Sequence, residues 1–176
     1  MLRRTLALGL LSAVALVSCA APPNAPMTPG SDWHEFEGTW TASGTRHTIP
    51  LGETRSSSVI ELEGTMLLAG PGRPGVGFRS RVIGLVDSAS GFEGRSVWTD
   101  ENGDQAFSEL TGTGTEAQNR IEGRFVGGTG RYAGATGSYE FSWQYMIESE
   151  DGRISGRAIA LKGRVRTGAP AAENAP

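Results

Sequence analysis

Along residues 137 to 149 apolar and polar side chains alternate: Tyr139, Phe141, Trp143, Tyr145 and Ile147 share one parity, Ser138, Glu140, Ser142 and Gln144 the other. A period of two marks a strand with one buried and one wet face. The same alternation recurs down the chain. Ile60, Leu62, Met66 and Leu68 oppose Glu61, Glu63 and Thr65; Phe78, Val82 and Val86 oppose Arg79 and Arg81. Ile121 and Phe125 oppose Arg120, Glu122 and Arg124, while Ile159, Leu161 and Val165 oppose Lys162, Arg164 and Arg166. Phe36, Trp40 and Ala42 begin the series. No stretch carries apolar residues at helical spacing for long enough to form a helix, so the pattern predicts an all-β domain.

Strands are predicted over 36 to 48, 57 to 69, 76 to 87, 93 to 100, 104 to 114, 118 to 127, 137 to 149 and 153 to 166. Most of the 26 glycines recur every few residues between short β-branched or aromatic runs. Asn102-Gly103 and Asp151-Gly152 sit between alternating segments, where type I′ turns would make the flanking strands antiparallel. About eight such strands must close into a barrel or fold into a sandwich to hide their edges.

The N-terminus follows another rule. Arg3 and Arg4 precede an apolar run, Leu6 to Val17, interrupted only by Ser12. This is the layout of an export signal, and the run is shorter than the roughly 20 residues a membrane-spanning helix needs. The closing Leu16-Val17-Ser18-Cys19 resembles the lipobox of bacterial lipoprotein precursors. The resemblance implies a signal peptide over residues 1–18 and a diacylated Cys19 as the mature N-terminus. It also implies a protein held on the membrane of the bacterial cell envelope by that lipid. Ala20 in place of Asp resembles the pattern sorted to an outer membrane, facing the periplasm, in a cell that has one. Residues 19–32 then form a lipidated, Pro-rich tether, reaching up to ~40 Å at about 3.1 Å per residue. The barrel domain spans 33–166, and 167–176 read as a loose tail.

Removing residues 1–18 from the 176 leaves 158, enough for one domain with a proper core. Of 16 basic and 19 acidic residues the signal takes Arg3 and Arg4, leaving 14 against 19, a net charge of −5. That balance, with no basic patch, excludes a nucleic-acid partner. Cys19 is the single cysteine, so no disulfide supports the domain.

A glycine segment late in the domain, Gly127-Gly128-Thr129-Gly130-Arg131-Tyr132-Ala133-Gly134-Ala135-Thr136-Gly137, resembles the signature of barrels similar to plant allene oxide cyclase and dirigent proteins. Phe36-Glu37-Gly38-Thr39-Trp40-Thr41 and Gly91-Phe92-Glu93-Gly94-Arg95 extend the resemblance to an uncharacterised bacterial group with that barrel. It implies an eight-stranded antiparallel barrel with a central cavity. Plant relatives cyclise an unsaturated epoxide or steer radical coupling with polar cavity residues, none of which maps onto this chain. No catalytic residue is therefore assigned.

Other chemistries fail on inventory. Gly128 to Ala133 satisfies Gly-x-Gly-x-x-Ala, yet strand rather than helix follows, so there is no helix N-terminus for a pyrophosphate. The glycines instead suit a tight corner, with Tyr132 plugging the barrel end. His34 and His47 lack companion ligands at metal-binding spacing, and Asp100 to Asp104 lacks the glycine and closing Glu of a calcium loop. No metal and no cofactor is expected. Glu61 and Glu63 read as a solvated strand face.

The aromatic stripe is the candidate ligand site. Tyr139, Phe141, Trp143 and Tyr145, with Trp98 completing the wall, either fill the interior or line a cavity for a small apolar or aromatic ligand. Three functions remain open: a lipid-anchored binding module, a non-catalytic envelope protein with a solid barrel and a protein partner, or an isomerase or cyclase. For the last, Glu109 is the carboxylate that parity nominates.

Overall fold

A computed structural model describes residues 33–72, 75–113 and 119–168. The signal peptide, Cys19, the tether and all but the first two residues of the tail lie outside the described residues. Eight strands follow one another around a closed antiparallel barrel. They are β1 (His34–Pro50), β2 (Ser56–Ala69), β3 (Val76–Asp87), β4 (Gly91–Asp100), β5 (Gln105–Gly112), β6 (Asn119–Gly128), β7 (Thr136–Glu148) and β8 (Arg153–Arg166). Each pairs with its sequence neighbour, and β8 closes on β1 from His34↔Val165 to Thr45↔Arg153. Closure removes the edges that a row of antiparallel strands would otherwise expose. All eight lie within a few residues of the runs that the alternation predicts.

Parity sets the core. Trp40, Ala42, Ile60, Leu62, Met66, Leu68, Phe78, Val82, Ile121 and Phe125 are buried as the pattern requires. Their outward neighbours form cross-strand ion pairs, including Arg81 with Glu61 at 3.1 Å and Lys162 with Glu140 at 3.2 Å. Exposed pairs of this kind contribute little stability and mainly keep the surface wet.

Two apolar positions depart from the expected parity. Ile147 is 57% and Ile159 40% exposed. The β7–β8 register shifts between Tyr145 and Ile147 and again between Glu140 and Ser142. On β8, Ala158 and Leu161 are both buried, and Ala160 between them takes φ 54°. An extra residue in the ladder reverses which side chains face inward.

The hairpin turns also differ from expectation. Gly103 N–H donates to Asp100 O at 3.1 Å and Gly152 N–H to Ser149 O at 2.9 Å. Gly103 (φ 85°) and Gly152 (φ 82°) take positive φ, whereas Asn102 and Asp151 do not. A type I′ turn needs positive φ at both central positions. The glycines instead stand fourth in turns with negative φ at Asn102 and Asp151, still joining antiparallel strands.

Candidate functional site

The two ends of the barrel differ. One end receives the β2–β3, β4–β5 and β6–β7 connections and is packed shut with aromatic rings. Trp98 lies 4.7 Å from Tyr139, 5.1 Å from Phe125 and 6.0 Å from Phe78, centroid to centroid. Phe36 meets Trp98 edge-on at 6.2 Å, and Tyr132 sits 5.8 Å from Phe78. Edge-to-face and tilted arrangements at these separations suit the ring quadrupoles.

The glycine segment is the corner of this closed end. Thr129 clasps β5: its N–H donates to Gln105 O at 2.7 Å, and its Oγ1 accepts Gln105 N–H at 2.9 Å. Gly130 to Tyr132 then form one 3₁₀ turn. Gly130 has φ 50°, where a side chain is strained, and a Cβ there would press on the Asp104 carboxylate, so the position favours glycine. Arg131 donates from Nε to Asp100 Oδ2 at 2.6 Å, and Asp100 Oδ1 accepts the N–H groups of Asn102 at 2.8 Å and Asp104 at 3.1 Å. Burial opposes ionisation of Asp100, but the bonds from Asn102, Arg131, Tyr132 and Asp104 outweigh it and hold its pKa below the ordinary value. Asp100 thus serves the corner, and no cluster of metal-ligating side chains occurs among the described residues.

Beneath the rings lies a small polar network. Ser96 and Ser108 Oγ are 2.7 Å apart, and Tyr139 Oη lies 2.6 Å from Ser108 and 3.3 Å from Ser96. Burial pushes the Tyr139 phenol up to about 12 despite those two hydroxyls.

At the opposite end the barrel is open among the described residues. A cavity of about 410 Å³ enters the barrel where β1 meets β2, β3 meets β4 and β7 meets β8. Its walls are Trp40, Leu62, Val82, Phe92, Phe141 and Trp143. Its rim is polar, with Arg46, Tyr145, Glu148, Thr48, Ser56 and Ser58. Thr48 and Ser58 hydroxyls pair with each other at 2.8 Å. Arg46 Nη1 donates to Glu148 Oε1 at 2.6 Å, Nη2 donates to Tyr145 Oη, and the guanidinium lies over the Tyr145 ring at 4.7 Å. Burial raises the Tyr145 phenol above its ordinary value, against the pull of Arg46.

The predicted site residues divide between the two ends. Phe141, Trp143 and Tyr145 line the cavity, while Tyr139 and Trp98 belong to the packed end. Parity places a side chain inside but not at a given depth, so it does not separate these two from the others. Trp40 and Arg46 are cavity residues that the stripe did not include; both share the inward parity of Phe36 and Ala42 on β1. Glu109 does share the parity of Phe107, but that face is the exterior, where Glu109 pairs with Arg95 at 3.3 Å and with Arg124. It has no access to the cavity.

Fold and site together define a small antiparallel barrel that is plugged at one end and, among the described residues, holds a cavity at the other. Comparison with protein-family models, with curated proteins and with solved structures finds no match to this chain.

Proposed function

We propose that this protein is a lipid-anchored barrel of the bacterial envelope that binds a small apolar or aromatic ligand in its open end. The observation that carries the reading is the cavity of about 410 Å³, walled by aromatic and aliphatic side chains and rimmed by a few polar ones. That size lies within the roughly 300–1,000 Å³ of small-ligand sites, and the division into apolar body and polar mouth is typical of them. The anchor rests on the lipobox-like Leu16 to Cys19, and Ala20 supports an outer membrane address facing the periplasm. The glycine signature, resembling that of allene oxide cyclase-like and dirigent-like barrels, supports membership of a group whose barrels hold a cavity.

A ligand in this cavity would sit against Trp40 and Trp143, whose rings are 4.9 Å apart. Titration with a panel of apolar and aromatic compounds should therefore quench tryptophan fluorescence saturably, and Trp143→Phe should weaken the binding. Unchanged affinity in Trp143→Phe would remove the proposed site. A cyclase or isomerase acting here would lack the carboxylate nominated for it, because Glu109 faces solvent.

A protein partner is favoured by a separate observation. Val59 and Leu85 are cross-strand neighbours on the outer wall, 55% and 50% exposed, with Ile83 beside them at 58%. Leu85→Glu should abolish partner capture and leave ligand quenching intact if that surface is the functional one.

A further inference from the structure

We infer that the plugged end of the barrel docks on anionic phospholipid headgroups through Trp33, Arg164 and Arg166, so that the cavity faces away from the bilayer. The inference rests on the lipid anchor of the function proposed above and adds the orientation in which the anchored barrel works.

The start of β1 lies at the plugged end. Glu37 pairs with Ala69 at the close of β2, and Thr136, where β7 leaves the glycine corner, pairs with Arg166. The chain running from Cys19 therefore joins the barrel at the end opposite the cavity. Residues 20–32 separate Cys19 from Trp33, so the anchor keeps this end within ~40 Å of the lipid. That reach limits distance and leaves tilt to the chemistry of the surface.

Trp33 is half-buried, and two cations converge on its ring. The Arg164 guanidinium lies 4.9 Å from the ring centroid and that of Arg166 5.3 Å. The ring quadrupole draws each cation in, and so gathers two like charges at one spot. Among the described residues neither arginine has an ion-pair partner, although other outward cations of the barrel do. Lys162 meets Glu140 at 3.2 Å, Arg81 meets Glu61 at 3.1 Å, and Arg124 meets Glu109. Glu35 stands opposite Arg164 in the β1–β8 register, yet the two form no ion pair. Exposed guanidinium forks match phosphate oxygens in pairs, and an indole suits the boundary between lipid and water. Both occur here at the point where the chain arrives from its lipid.

The rest of the surface offers no rival. At the mouth Arg46 is paired with Glu148 at 2.6 Å, Arg55 with Asp87 at 3.3 Å and Arg153 with Asp151 at 2.7 Å. Glu101, on the β4–β5 turn, shares the plugged end but lies four strands round the ring from β1. The docked barrel therefore leans on its β8–β1 side. With a net charge of −5 after residue 18, the chain has no general attraction to an anionic surface, so the local pair of arginines must supply it. A cavity held on the far side exchanges its ligand with the aqueous phase rather than with the lipid.

Energy transfer from a dye on the protein to acceptor-labelled lipid tests this with the mature lipidated protein in vesicles. Because lipid occupies the sulfur of Cys19, one introduced cysteine takes the dye: Val126→Cys on the outer wall at the plugged end, or Ala89→Cys on the β3–β4 turn at the mouth. In vesicles of equal parts phosphatidylglycerol and phosphatidylcholine, the dye at 126 should transfer strongly and the dye at 89 weakly. Phosphatidylcholine alone should remove the difference. Arg164→Gln with Arg166→Gln should lower the ratio of docked to undocked protein about 30-fold, at about 5-fold for each charge near the surface. Stronger transfer from 89, or equal transfer from both positions, would overturn the inference. A preference for 126 that survives in phosphatidylcholine, or in the arginine variant, would assign the orientation to the tether and overturn the role of the arginines. Mature protein found by mass to carry no lipid would overturn the anchor itself, and with it this inference, while leaving ligand binding in the cavity standing.

Discussion

Gly123 stands on the inner face of β6 where the Tyr139 ring crosses it, and Gly123→Ala tests the packing that separates the closed end from the cavity. A Cβ at this position would fall inside 3.0 Å of Cζ, Cε1 and Cε2 of Tyr139. Unstrained carbon contacts need about 3.5–4.0 Å against 2.1 Å to Cζ here, so the ring must retreat by about 1.5 Å or its neighbours must yield. Tyr139 is only 4% exposed and is flanked by Trp98 and Phe125, which leaves it little room. Its 2.6 Å bond to Ser108 would stretch beyond a useful length. Overpacking of a core costs about 1–3 kcal/mol, and a lost buried hydroxyl bond adds about 1 kcal/mol, giving a loss of about 2–4 kcal/mol. Urea unfolding followed by tryptophan fluorescence reads this as a midpoint lowered by about 1–2 M. Gly77 supplies the control: no atom lies within 4 Å of its Cβ position, and its φ is not positive. Gly77→Ala should leave stability unchanged or raise it by up to about 1 kcal/mol. A Gly123→Ala midpoint within about 0.2 M of wild type, with Gly77→Ala behaving as expected, would refute the reasoning.

Three further outcomes follow from the same structure. Asp100 is held below its ordinary 3.8, so the stability it confers is present above that pH and is lost as pH falls below it; Asp100→Asn should be less stable at neutral pH and should show a flatter acid decline in thermal unfolding. The Tyr132 and Tyr139 phenols are pushed from 10.0 up to about 12 and Tyr145 is raised, so the folded protein should develop little phenolate absorbance near pH 10. Because these groups hold their protons longer when folded, stability should fall as pH rises from 10 towards 12. Cys19→Ser should abolish metabolic labelling by a fatty acid and release the barrel from membranes; labelling equal to wild type would contradict the lipid anchor.

Strand positions were legible because each buried face is read at every second residue, and Ile60 to Leu68 obey that rule throughout. The exceptions are places where a single extra residue resets the count. Nothing local in Ile159-Ala160-Leu161 announces that Ala160 will take φ 54° and send Ile159 outward. The turns at Asn102-Gly103 and Asp151-Gly152 carried the right dipeptides for type I′. Backbone bonds from Asp100 and Ser149 selected a different turn around the same glycines. At the site, the alternation found Phe141, Trp143 and Tyr145 but assigned Tyr139 and Trp98 to the cavity as well. Depth along a barrel is set by which rings meet across its axis, and that depends on the register of all eight strands. Arg46 is charged and so falls outside any apolar stripe. Its parity with Trp40 puts it at the rim, where its stem packs inside and its head reaches Glu148.

Under the proposed function the open end of the barrel takes an aromatic guest. Crystals soaked in 1-bromonaphthalene test it most directly, because the anomalous signal of bromine locates the guest without knowledge of the natural ligand. The expected result is a bromine peak inside the barrel, among Trp40, Phe92, Phe141 and Trp143. Bromine found only on the outer wall, with those four rings filling the space between them, would contradict it.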